Sequence, residues 1–135
     1  MSEKHKGARD AGKREAQTEQ NVIGDSLSFA ATEAYKLLRT NLMFALPDEG
    51  KCRVVGITSA LRAEGKSTLT INLAYTIAQA GHRVLLIDGD MRLPTVAKRL
   101  NLPQKPGLSN LLAGLCTREE AIQESGMLDN LRIIA

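Results

Sequence analysis

Two short stretches hold the residue types that do chemistry. The first is Ala60-Leu-Arg-Ala-Glu-Gly65-Lys66-Ser67-Thr68, a loop sequence with a lysine followed by two hydroxyls. A triphosphate brings several negative charges, and a loop that wraps them needs backbone N–H groups turned inward. Glycine permits that turn, and a following helix N-terminus adds its dipole. Lys66 reaches the β- and γ-phosphates in such a loop, and the Ser67 hydroxyl is placed to ligate Mg²⁺. Ala63, Glu64, Gly65 and Thr68 complete the expected nucleotide-binding set. The match to G-x-x-x-x-G-K-[ST] departs at Ala60, which replaces the first glycine. A Gly-Lys-Ser alone also occurs in ordinary surface turns; its flanks decide the reading.

The second stretch is Asp88-Gly-Asp90-Met-Arg92. Two acids facing one site suit a metal, directly or through water, or serve as a proton acceptor. The plainer alternative is a tight turn whose side chains cap backbone. Arg92 balances these acids, reaches a phosphate, or forms a surface ion pair. A third group, Glu33, Lys36 and Arg39, recurs at helical spacing. Spacing alone makes it a solvated face with a weak ion pair.

These residues need elements to position them. The apolar run Cys52 to Thr58 predicts a strand ahead of the loop, unbroken rather than alternating, as in a parallel sheet covered on both faces. Leu69, Ile71, Leu73, Ala74, Ile77 and Ala78 predict a helix from Gly65 to about Ala80, with Gly81 as its left-handed cap. Val84 to Ile87 predicts a second strand, and its carboxyl end delivers Asp88 to where open α/β sheets bind ligands. Upstream, Phe29 to Phe44 reads as a helix with one buried face, closed by a turn at Pro47-Asp48-Glu49-Gly50. Downstream, short helices are expected at Pro94–Leu100, 107–114 and 117–125. Thr117 with Glu120 forms a capping box in the last of them. Leu131 to Ile134 predicts a third strand. Residues 1–25 are polar and charged, expected to be a flexible tail or linker with at most a weak helix near 11–20.

Composition narrows the classes. Apolar residues make up 43% of the chain but aromatics only 3%, with no Trp, so the core must be aliphatic. A net charge of +3 from 24% charged residues of both signs gives no case for nucleic acid as a partner. Cys52 and Cys116 form no C-x-x-C pattern and read as reduced thiols of a cytoplasmic protein. No stretch approaches the roughly 18–20 apolar residues of a membrane span, and the N-terminus lacks the apolar run of a signal peptide.

Taken together, these stretches resemble the bacterial tyrosine kinases of capsule and exopolysaccharide synthesis (BY-kinases). The resemblance runs from about Leu27 to Ala135. It rests on Ile57-Thr-Ser-Ala-Leu-Arg-Ala-Glu-Gly-Lys-Ser-Thr68 (Walker A), on Leu85-Leu-Ile-Asp-Gly-Asp-Met-Arg92 (Walker A′, D-x-D-x-R), and on Glu33-Ala-Tyr-Lys-Leu-Leu-Arg39, similar to the E-x-x-R-x-x-R oligomerisation motif. It implies an α/β P-loop NTPase fold, a parallel sheet flanked by helices, with residues 26–135 forming an incomplete, N-terminal part of the kinase domain. It also implies ATP and Mg²⁺ as cofactors and transfer of the γ-phosphate to tyrosines. Lys66 would bind phosphates, Ser67 would hold Mg²⁺, and Asp88 and Asp90 would serve the metal and the attacking hydroxyl. Glu33, Lys36 and Arg39 would lie in a ring interface. A transmembrane activator, the polysaccharide co-polymerase, would bring the cytoplasmic domain to the membrane.

Departures from the family pattern are specific. Lys36 replaces an arginine, and Ala63 stands where glycine is usual. No Walker B sequence is present, and Tyr35 and Tyr75, the only tyrosines, fall inside predicted helices. Both absences fit a chain that stops short of the full domain. Related partition ATPases carry a signature lysine early in the loop, where this chain has Leu61. That difference argues against them; the alternatives carried beside the kinase are a partition-type ATPase switch and a non-catalytic nucleotide-binding assembly module.

Overall fold

The computed structural model describes residues 27–46, 50, 52–61 and 63–135. The polar 1–25 segment and positions 47–49 of the expected turn lie outside them. The first helix, α1, spans Phe29–Ala45. Ser28 caps it, its Oγ accepting the Ala31 N–H at 3.2 Å. At the other end Leu46 is extended (ψ 127°), the conformation that a following proline imposes. The expected buried face is only partly realised: α1 packs on the next helix but contains no buried residue, and Phe44 is 87% exposed.

Helix α2 spans Lys66–Gln79 and supplies the main core face through Ile71, Ala74 and Ala78. It ends as expected, with Gly81 left-handed at φ 93°. Its last carbonyls are satisfied from outside as well: Arg39 Nη1 of α1 donates to Thr76 O at 3.0 Å, and Asn130 Nδ2 to Ala78 O at 2.7 Å. A guanidinium at a helix C-terminus also complements the dipole there.

Strand β1 is Val84–Ile87. Three short helices follow: α3 (Val96–Arg99), α4 (Leu108–Leu112) and α5 (Arg118–Ala121). Strands β2 (Gln123–Glu124) and β3 (Leu131–Ile134) complete a sheet of order β1-β3-β2. As expected, β1 and β3 run parallel, Val84 opposite Leu131 and Ile87 opposite Ile134. Leu86, Leu131 and Ile133 meet α2 and Val96 in the aliphatic core.

Two expectations are corrected. The 117–125 helix keeps its capping box, Glu120 N to Thr117 Oγ1 at 3.2 Å and Thr117 N to Glu120 Oε2 at 2.7 Å, but stops at Ala121. Gln123 and Glu124 instead pair antiparallel with Ile133 and Arg132, so the sheet is mixed. The Ser125 hydroxyl accepts the Met127 and Leu128 N–H groups and shapes the reversal between them. Second, Cys52–Thr58 forms no strand. Among the described residues β1 pairs only with β3, and this run is not a strand of that sheet. Val54 is consequently 88% exposed.

Candidate nucleotide site

The loop entering α2 has the shape that its sequence calls for. Gly65 is left-handed at φ 90° and serves as the N-cap of α2, so Lys66 and Ser67 open the first turn. Ala63 is left-handed too, at φ 61°, a conformation strained for a residue with a Cβ. Inside the loop the Lys66 ammonium donates to Ser59 Oγ at 2.8 Å and to the Leu61 carbonyl at 3.3 Å. The Ser59 hydroxyl donates to the same carbonyl at 3.0 Å. Glu64 Oε2 accepts the Leu61 N–H at 3.0 Å. That N–H, then the Ser59 hydroxyl and the Lys66 charge, hold the Glu64 carboxyl below its ordinary range.

Asp88 lies where β1 ends and is 8% exposed. Its Oδ2 accepts the N–H groups of Thr95 (2.9 Å) and Val96 (3.0 Å), and its Oδ1 that of Asp90 (3.0 Å). Asp88 thus caps α3, and this explains why the helix begins at Val96 rather than at Pro94. Asp90 is exposed, and its Oδ1 accepts the N–H groups of Leu93 (3.0 Å) and Arg92 (3.3 Å). The turn-capping alternative therefore describes real bonds of both acids. Arg92 is exposed beside them.

Loop and acids are joined through a residue that sequence reasoning missed. Thr95 Oγ1 donates to Ser67 Oγ at 2.8 Å while the Thr95 N–H is held by Asp88. Four residues on, Arg99 Nη1 donates to Thr68 Oγ1 at 2.7 Å. The only sequence signal was a threonine directly before an apolar pair, the pattern of a helix N-cap. Ser67, Thr68 and Asp88 are thereby brought together. A cavity of about 190 Å³ opens on the far side of the acids, lined by Asp88, Asp90, Met91, Pro94 and Leu108 among others.

The donors that this junction brings together are the Ser67 hydroxyl and the Asp88 carboxylate, with Asp90 exposed in the same turn; such hard oxygens suit Mg²⁺ bound largely through phosphates and water. Among the described residues no cluster of three or more His, Cys, Asp or Glu side chains could hold a metal alone. Glu33, Lys36 and Arg39 lie on α1, away from this site. Lys36 Nζ pairs with Glu33 Oε1 at 2.8 Å between half-exposed side chains, and Arg39 is committed to α2. A second cavity, about 270 Å³, lies beside Arg39, Met43, Phe44 and His82.

Comparison with known proteins adds an independent line. Residues 55–132 match the CobQ/CobB/MinD/ParA nucleotide binding domain. The putative tyrosine-protein kinase CapB of Staphylococcus aureus is 38% identical over 112 residues, covering 83% of this chain and 48% of that protein. Tyrosine-protein kinase YwqD of Bacillus subtilis is 45% identical over 94 residues, 70% of this chain and 39% of that one. Among solved structures, the BceF tyrosine kinase domain superposes with a TM-score of 0.73 at 35% identity, covering 93% of this chain and 50% of the other. The kinase domain of Escherichia coli tyrosine kinase ETK gives 0.71 at 35% identity, covering 77% and 40%. The chain thus spans half or less of the length of these relatives.

Proposed function

The chain belongs to the CobQ/CobB/MinD/ParA family of nucleotide-binding domains, and from that premise we propose that it is part of an ATP-dependent protein-tyrosine kinase. The observation that carries this reading is the junction of Lys66 and Ser67, at the start of α2, with Asp88 through Thr95. Its likeness to proteins named as tyrosine kinases supports it.

In this reading the Gly65 turn and the first N–H groups of α2 hold the β- and γ-phosphates, and Lys66 leaves Ser59 and Leu61 to neutralise them. Ala63, Glu64, Thr68 and Arg92 line the nucleotide. Ser67, with Asp88 and Asp90, would hold Mg²⁺, which would supply charge neutralisation and alignment of the phosphates. A tyrosine oxygen attacks the γ-phosphorus, the bond to the bridging oxygen breaks, and ADP departs. Asp90 is the better proton acceptor of the two acids, because Asp88 is buried and already accepts three N–H groups. Catalysis here is mostly positioning and charge neutralisation.

Tyr75 packs against the core and Tyr35 is half-buried within α1, so we assign the acceptor tyrosines to other segments or other proteins. We assign Glu33, Lys36 and Arg39 to a ring interface. The domain is assigned to the cytoplasmic side of the membrane, with a transmembrane activator of polysaccharide synthesis as partner. No helix among the described residues is long and apolar enough to cross a membrane. The test uses the full product of the gene beside the 135-residue chain, each with a Lys66→Ala control. Both are incubated with ATP, Mg²⁺ and the activator's cytoplasmic segment. Phosphotyrosine that falls by about 10²-fold or more in Lys66→Ala is the expected result. Phosphate release without phosphotyrosine would assign the partition-type ATPase switch, a reading that the family match also accommodates.

A further inference from the structure

Thr95 occupies the N-cap position of α3 yet makes no capping bond with its own side chain. A threonine in that place ordinarily stabilises its helix by accepting an N–H of the first turn. Here the Asp88 carboxylate takes over the task, accepting the N–H groups of Thr95 and Val96. The freed Thr95 hydroxyl lies 2.8 Å from Ser67 Oγ, across 28 residues of sequence. One residue therefore ties the end of β1 to the first turn of α2, through its N–H on one side and its hydroxyl on the other. Arg99 makes a second tie between the same helices at Thr68.

We infer that Thr95 is a positioning residue for the Ser67 hydroxyl, fixing it in the direction that serves a Mg²⁺–nucleotide. The inference rests on the nucleotide-site reading above. Serine is free to populate three χ1 wells, and the bond to Thr95 selects one of them. A hydroxyl both donates and accepts, so the pair can reverse its proton and turn a Ser67 lone pair toward a cation. Groups that orient a metal ligand in this way are worth about 10–100-fold in metal affinity.

The test is a Mg²⁺ titration of fluorescent ATP-analogue binding, with binding in EDTA measured alongside. Thr95→Val removes the hydroxyl at nearly constant size, and keeps both N–H groups on Asp88 and the Arg99 tie. The expected result is a rise of about tenfold in the Mg²⁺ concentration needed for half-maximal effect. Binding in EDTA should be unchanged, and Thr95→Ser should restore the wild-type curve. In a Ser67→Ala background, Thr95→Val should add nothing further. An unchanged Mg²⁺ curve for Thr95→Val, with Ser67→Ala still impaired, overturns the role of Thr95 and leaves the site standing. Equal weakening with and without Mg²⁺ also overturns it, as the mark of a merely structural contact. If Ser67→Ala matches wild type, the nucleotide-site reading fails and takes this inference with it. Should Thr95→Val not fold, the same titration on Thr95→Ser against Thr95→Ala decides, and equal curves overturn the proposal.

Discussion

Ala63 is the residue at which this chain strains against its own task. Its left-handed φ of 61° costs a Cβ-bearing residue about 1–2 kcal/mol, and a glycine there would not incur it. That cost is already present without nucleotide, so Ala63→Gly should stabilise the fold by up to about 1 kcal/mol, and urea unfolding returning equal stabilities would refute this. Two positions earlier, the Leu61 N–H bond to Glu64 predicts a pH dependence. The folded carboxyl is held below its ordinary value of 4.5, so the loop contact is present above that value and lost as the pH falls through the lower folded one. The Leu61 amide resonance should titrate accordingly, and Glu64→Gln should flatten the curve. At Asp88, Asp88→Ala leaves the Thr95 and Val96 N–H groups without an acceptor and should destabilise by about 3 kcal/mol in urea unfolding. The loop and both acids were legible in the sequence because glycine, lysine and hydroxyls at fixed spacing have few other uses. Thr95 was not, since a bond across 28 residues leaves no local trace.

Among the elements, α2 was the most readable, because its apolar residues repeat at helical spacing and a glycine closes it. Ile71 is fully buried on that face, and Ile71→Ala should cost about 3 kcal/mol by thermal melting. The capping box at Thr117 and Glu120 correctly marked where α5 begins. Nothing in the sequence marked where it ends, since Gln123 and Glu124 have no strand preference of their own. They become a strand because β3 offers an edge, and tertiary pairing outweighs propensity. The Cys52–Thr58 run fails in the opposite direction. Its residues favour a strand strongly, yet a strand exists only against a neighbour, and β1 turns its one paired edge toward β3.

For the molecule as a whole, the sheet is fully covered on one face and only partly on the other, where Ile134 is buried at the end of β3. Leu86 and Ile133 point into the core, while Leu85 and Ile87 stand about half exposed on the opposite face, and Val54 and Val55 add to the open apolar surface. A parallel pair such as β1 and β3 normally has both faces covered. The 135-residue chain should therefore self-associate with rising concentration. Leu85→Lys should lower its light scattering while leaving the far-ultraviolet circular dichroism unchanged. Stability is also unevenly distributed. Helix α1 has no buried residue and is held through the Arg39 contact and light packing on α2, whereas α2 and β3 hold the core. In native-state hydrogen exchange, α1 should open alone, well below the global unfolding free energy, as its own cooperative unit. In the proposed ring, the helix that carries Glu33, Lys36 and Arg39 is thus the part of the fold that a neighbouring subunit would most cheaply reposition.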